Sequence, residues 1–353
     1  MPGPTVVLAT AGYDQTIRLW DASSGRCARV LKLQDKTPQQ VNALRITPDK
    51  SCVAAALNPQ LRLYAIASKS NDPLQVYEGH TGNVTAVGFH KDGRWMYSGS
   101  EDGTVKIWDL RAPGCQRNYE SRAPVNCVVL HPNQGELIAG DHSGTVRVWD
   151  LTANKSSTEL MPEGKVPIRS VSVAADASLM VVANNTGSCF MWQPKSSEEY
   201  LPTRRLQAHS SHILKCELSP DVSYFATASA DKTVKLWNVR DWSLAQTLVG
   251  HQRWVWDCVF SADSSYLVTA SSDNTARLWE VSRGELLRIY NDHHKPVVCV
   301  ALNDSSVAPS AGGSRTAAGG RAGVSGGSGG GASGGGGRAA SGGGGAGGGG
   351  GGG

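Results

Sequence analysis

No stretch of the 353 residues approaches the roughly 18 consecutive apolar positions that a membrane-spanning helix needs. The N-terminal MPGPTVVLATAG has no basic region leading into an apolar core. The chain is therefore expected in the cytoplasm, without direct membrane insertion. Its eight cysteines include no CxxC pair, and Cys127, Cys216, Cys258 and Cys299 fall inside strand-like patterns. That spacing implies packed free thiols, not disulfides or a metal site. Acidic residues are absent from Ser305 onward, where Gly, Ala and Ser surround Arg315, Arg321 and Arg338. Such a segment has too little apolar surface to offset its ordering entropy, so residues 305–353 are expected to form a disordered tail. Removing its three charges from the formal +4 leaves 4 − 3 = +1 for the remainder, which gives no general electrostatic reason to bind nucleic acid. No Walker, HExxH, GxSxG or paired-carboxylate element is present, and no cofactor or metal is implied.

What the chain has is a repeat. Gly79 to Leu110, GHTGNVTAVGFHKDGRWMYSGSEDGTVKIWDL, opens on Gly-His, runs through three alternating segments and closes on Trp108-Asp109. The closing aromatic recurs at Trp20, Tyr64, Trp108, Trp149, Trp192, Trp237 and Trp279, spacings of 44, 44, 41, 43, 45 and 42 residues. This period and pattern are the WD-repeat signature, four strands to a blade. Seven such units cannot bury their faces separately and must stack into one body. The expected fold is all-β, a seven-bladed WD40 β-propeller over residues 5–304. The first repeat lacks an innermost strand, whereas a surplus strand, Pro296 to Asn303, follows the last. Pairing the surplus strand into blade one closes the ring and removes an edge.

Polar residues support closure. Blade three supplies His80, Ser98, Asp102 and Trp108; blade six, His209, Thr227, Asp231 and Trp237; blade seven, His251, Thr269, Asp273 and Trp279. Blade one has Thr10, Asp14 and Trp20, and its histidine is His293, in front of the C-terminal strand. Hydroxyl, His and Asp can make a catalytic triad. Four copies at constant offsets, each beside a Trp N–H, are instead what a self-satisfying structural network requires. Blades two, four and five carry Asn58, Ser143 and Thr186 where the Asp would stand, so their outer edges are expected to be held less firmly.

Inner strands follow x-V-x-x-V-x-F, with the first two x positions near one mouth of the central channel. Those pairs are Gln40 and Asn42, Asn83 and Thr85, Pro124 and Asn126, Pro167 and Arg169, His212 and Leu214, Trp254 and Trp256, and Pro296 and Val298. Side chains two apart on a strand point the same way, so Trp254 and Trp256 are expected side by side, flanked by Leu214 and Val298. Paired Trp inside a ring of Asn, Gln and Arg has the make-up of a protein-binding hot spot.

Narrower phrases are FHKDGRWMYSGSEDGTVKIWDLR (89–111), LHPNQGELIAGDHSGTVRVWDL (130–151), ATAGYDQTIRLWD (9–21), QVNAL (40–44) and SSDNTARLWEV (271–281) with VVCVALND (297–304). With Tyr64 closing repeat two, they resemble the small seven-bladed subunit of target-of-rapamycin kinase complexes, the G-protein-beta-subunit-like family. The resemblance spans every blade and leaves the Gly-rich tail without a counterpart. It implies a non-catalytic scaffold, a monomeric propeller within a larger complex, seated on the kinase domain and supporting its activity in nutrient and growth signalling. It further implies a cytoplasmic protein that reaches endomembranes peripherally through the complex. The implied kinase contact uses the face carrying Gln40, Asn42, Asn83, Trp254 and Trp256; Thr85, Asn126 and Leu214 adjoin it by strand position. The competing class is a general WD40 adaptor such as a ubiquitin-ligase substrate receptor, which would carry a recruitment domain before the propeller.

Overall fold

The computed structural model describes residues 6–33, 39–112, 114–196 and 199–304. The tail expected at 305–353 lies outside these residues. The described chain folds into seven four-stranded antiparallel sheets, consecutive in sequence except for one. In that sheet the C-terminal strand Val297–Asn303 pairs with Val7–Gly12, which continues through Thr16–Trp20 to the outer strand Cys27–Lys32. Leu8 lies opposite Leu302 and Ala9 opposite Ala301. The ring is thus closed by the last strand, and blade one needs both ends of the propeller.

Each seam between neighbouring blades encloses one apolar cluster. Val7, Ile17 and Leu19 of blade one pack with Leu44, Val53 and Tyr64 of blade two. At the closing seam, Val259, Val268 and Tyr290 of blade seven pack with Leu8 and Trp20 of blade one. The closing aromatics are almost wholly buried, Trp108 and Trp279 at 0% and 2% exposure. A buried side chain of this kind contributes about 1.5–3 kcal/mol. The turns read from Pro, Asp and Asn close as tight backbone bonds, Lys50 N–H to the Thr47 carbonyl and Val222 N–H to the Ser219 carbonyl, each 2.9 Å.

A second set of seam contacts comes from arginines on the outer strands. Arg29 donates to the carbonyls of Ala65 and Ile66 on blade two, both at 2.8 Å. Arg117 reaches the Leu151 carbonyl, Arg204 that of Asp241 at 3.2 Å, and Arg288 that of Ser23 at 3.1 Å. These four hold position for position across blades one, three, five and seven, each crossing to the next blade.

Blades four and five do not leave their outer edges loose. The buried Asp141, two residues before Ser143, accepts from Ser143 Oγ at 2.6 Å, Thr145 N at 3.0 Å and Ser121 Oγ at 3.0 Å. Arg147 bridges Ser121 and the outer-strand Glu159. In blade five, Asn184 Nδ2 donates to Glu163 at 2.7 Å, and Glu163 is also paired with Arg205 of the outer strand. For blades four and five, though not for blade two, the expectation of weaker edges is corrected: both replace the histidine network with a charged one.

Candidate protein-binding face

In blade three, Trp108 Nε1–H donates to Ser98 Oγ at 2.9 Å, while His80 meets Ser98 Oγ through Nε2 at 2.7 Å and Asp102 through Nδ1 at 2.8 Å. Blades six and seven repeat the geometry with Trp237, Thr227, His209 and Asp231, and with Trp279, Thr269, His251 and Asp273. Across the ring closure, Trp20 donates to Thr10 Oγ1 at 2.7 Å, and His293 joins Thr10 at 2.7 Å to Asp14 at 2.6 Å. An indole can only donate and a carboxylate can only accept. The circuit therefore runs from indole to hydroxyl to Nε2, with Nδ1–H donating to Asp.

Burial pushes His80 and His251 below the ordinary histidine value, against the pull of Asp102 and Asp273. Burial alone would raise the aspartates. Hydrogen bonds from Thr104, Thr81 and His80 outweigh it and hold Asp102 at about 2, and Asp231 and Asp273 are likewise held below the carboxylate range. Thr10, Ser98, Thr227 and Thr269 are each 0% exposed. Their oxygens are occupied by the Trp N–H, which leaves these trios without the access that a nucleophile needs.

The channel mouth is different. Six inner strands are bulged at their second x position: the register jumps past Thr85, Asn126, Arg169, Leu214, Trp256 and Val298. In blade two the strand starts at Ala43, just after Asn42. The bulges aim these residues at a central opening of about 260 Å³, which Gln40, Asn42, Asn83, Thr85, Asn126, Leu214 and Trp256 all line. Trp254 stands on the rim outside it and is 46% exposed. The two indole centroids are 5.6 Å apart with planes tilted 54°. Trp256 Nε1–H donates to Ser272 Oγ at 2.6 Å, which fixes its ring, whereas Trp254 presents an open apolar surface.

Several mouth residues also hold the ring together, which strand alternation does not reveal. Asn42 Nδ2 donates to the Val84 carbonyl at 3.0 Å, Thr85 Oγ1 to that of Val125 at 2.8 Å, and Asn126 Nδ2 to that of Ile168 at 2.7 Å. Ser170 continues the series to the Cys216 carbonyl at 3.2 Å. Lys215 then meets Asp257 at 3.5 Å, and Asp257 accepts from Val300 N at 3.0 Å. Burial would lower Lys215, but Asp257 and Glu217 outweigh it and hold it charged above its ordinary value. Gln40, Asn42 and Asn83 form a chain of amides, 2.8 and 2.7 Å, along one side of the mouth.

Comparison with known proteins narrows the family. The IFT122 first beta-propeller description matches residues 40–309, and the WD domain, G-beta repeat description matches residues 2–21. The target of rapamycin complex subunit wat1 of Schizosaccharomyces pombe is 53% identical over 311 residues, 87% of this chain and 98% of the relative. The chain belongs to the family of target of rapamycin complex subunits that includes the LST8 proteins. The Arabidopsis thaliana target of rapamycin complex subunit LST8-1 is 57% identical over 254 residues, 71% of this chain and 82% of that LST8 protein. A second LST8 relative from the same plant, named a non-functional target of rapamycin complex subunit, is 52% identical over 251 residues, 69% of this chain and 79% of its own length. LST8 membership fixes the propeller; what this one does must be argued from its surface.

Proposed function

We propose that this propeller is a non-catalytic subunit of a target of rapamycin complex and binds the kinase domain through the channel mouth. The observation that carries the reading is Trp254, exposed on the rim and packed against the hydrogen-bonded Trp256, at a mouth lined along one side by a chain of amides. Large rigid aromatics in a polar surround supply most of the free energy of protein association. The names of the LST8 relatives, which place those proteins in target of rapamycin complexes, support the choice of partner. Seating a rigid, closed ring beside a kinase lobe stabilises that lobe without any chemistry in the propeller. The protein works in the cytoplasm, and any endomembrane association comes through the assembled complex. Affinity purification of the intact chain from its native cytosol tests this. A very large kinase of the phosphatidylinositol-kinase-related class should be a stoichiometric partner at moderate salt; recovery of ubiquitin-ligase subunits without such a kinase would refute the proposal.

A further inference from the structure

The opposite end of the ring carries a second surface that kinase binding at the mouth does not use. At the seam where blade seven meets blade one, a groove of about 850 Å³ opens among the turns between inner and second strands and between third and outer strands. Val6, Tyr266, Leu278, Leu287 and Leu302 supply its apolar lining. Three of these are well exposed, Val6 at 39%, Tyr266 at 40% and Leu287 at 39%. Leu287 belongs to Glu285–Tyr290, the one described outer strand with three exposed large aliphatic side chains, Leu286, Leu287 and Ile289. Large apolar side chains grouped at a strand edge mark a surface that another chain covers.

The rim states what kind of chain. Asp21, Asp263 and Asp304 surround the groove. Asp21 is fixed by Ser23 Oγ at 2.7 Å, Asp263 by Ser265 N at 3.0 Å, and Asp304 by Ala262 N at 2.9 Å. Among the described residues of the lining the one cation is Arg288, which donates across the seam to the Ser23 carbonyl at 3.1 Å. Three fixed carboxylates against one engaged guanidinium leave the groove with a negative rim over an apolar floor. We infer that the groove between blades seven and one is a docking site for an extended segment of another protein, with aliphatic side chains flanked by Lys or Arg. Aliphatic groups fill the floor while the basic groups meet the rim carboxylates.

The test uses the full chain and three fluorescein-labelled decapeptides, read by anisotropy at low salt. One alternates leucine with lysine, one replaces lysine by glutamate, and one replaces leucine by serine. The leucine–lysine peptide should bind with a Kd on the order of 10–100 μM, as suits a transient contact, and the other two at least tenfold more weakly. Asp21→Asn with Asp263→Asn keeps the turn acceptors but removes two charges; it should weaken binding at least fivefold. Leu287→Ser with Tyr266→Ser, both at exposed positions, should abolish it. Equal binding of the glutamate peptide, or indifference to both double variants, would overturn the inference. So would sedimentation at twice the monomer mass that Leu287→Ser abolishes, since a second copy would then fill the groove. A chain ending at Asp304 that binds the peptide tenfold more tightly would make the C-terminal segment the occupant and overturn it equally. Trp254→Ala should leave peptide binding unchanged, so this result stands or falls apart from the kinase reading.

Discussion

Replacing Thr10 by Val probes the ring closure at its most buried polar atom. The two side chains have nearly the same shape, so the change removes one hydroxyl. That hydroxyl accepts from Trp20 Nε1 at 2.7 Å and meets His293 Nε2 at 2.7 Å, joining residues 283 apart in sequence. With Thr10 0% and His293 3% exposed, no water can replace it. Each of the two orphaned groups costs about 1–3 kcal/mol, so the variant should lose about 2–6 kcal/mol. At roughly 2–3 °C per kcal/mol for a chain of this size, Tm should fall by about 4–18 °C. Thr10→Ser keeps the oxygen, as Ser98 does in blade three, and should lose only about 1 kcal/mol for its methyl group. Urea and thermal unfolding of both variants supply the comparison. Hydrogen exchange should locate the loss in Val297–Asn303, the strand that the network pins. If Val lay within about 0.5 kcal/mol of wild type, or if Ser were as harmful as Val, the networks would not be what closes the ring.

Acidification should weaken the fold in two stages. His80 and His251 have folded values below the ordinary histidine value, so the unfolded chain binds more protons as pH falls through about 6.5, and stability is lost there. Asp102, held at about 2, contributes stability that is complete above its unfolded value near 3.8 and is lost as pH falls toward 2. A Tm profile that rose on acidification from pH 7 to pH 5 would contradict this assignment. Gly144 and Gly114 give a matched pair, with φ of +88° and +89°. An added Cβ at Gly144 would sit 2.3 Å from the Gly164 carbonyl oxygen, whereas that at Gly114 meets nothing within 4 Å among the described residues. Gly114→Ala should cost about 1 kcal/mol and Gly144→Ala at least about 3 kcal/mol; equal losses in urea unfolding would refute the contact argument.

Much of this architecture was legible because it repeats. One spacing of closing aromatics defined seven blades, and the displacement of His293 to the far end of the chain announced a closure that the pairing of Val297–Asn303 with Val7–Gly12 bears out. What repeats less regularly was missed. Arg29, Arg117 and Arg288 each stand nine residues after a closing Trp, but a longer connection places Arg204 twelve after Trp192. A surface arginine also looks the same whether it faces water or a neighbour's carbonyl. The substitute network of blade four was hidden by a shift of two residues, from Ser143 back to Asp141. At the mouth, the x-V-x-x pattern identified Trp254 and Trp256 as neighbours. It could not reveal that Asn42, Thr85 and Asn126 turn their donors sideways onto the next blade, because a bulge at Thr85 and Asn126, and the start of the strand only after Asn42, break the alternation on which such readings rest.

The most direct test of the central claim is quantitative recovery of the kinase with the Trp254→Ala, Trp256→Ala chain, alongside its Tm. Truncating two hot-spot aromatics costs about 2–4 kcal/mol each, so recovery should fall at least a hundredfold. Trp254 lies outside the core and Trp256 lines solvent, so Tm should change by no more than about 3 °C. Undiminished recovery of the kinase by a folded double variant would show that the mouth is not the binding face.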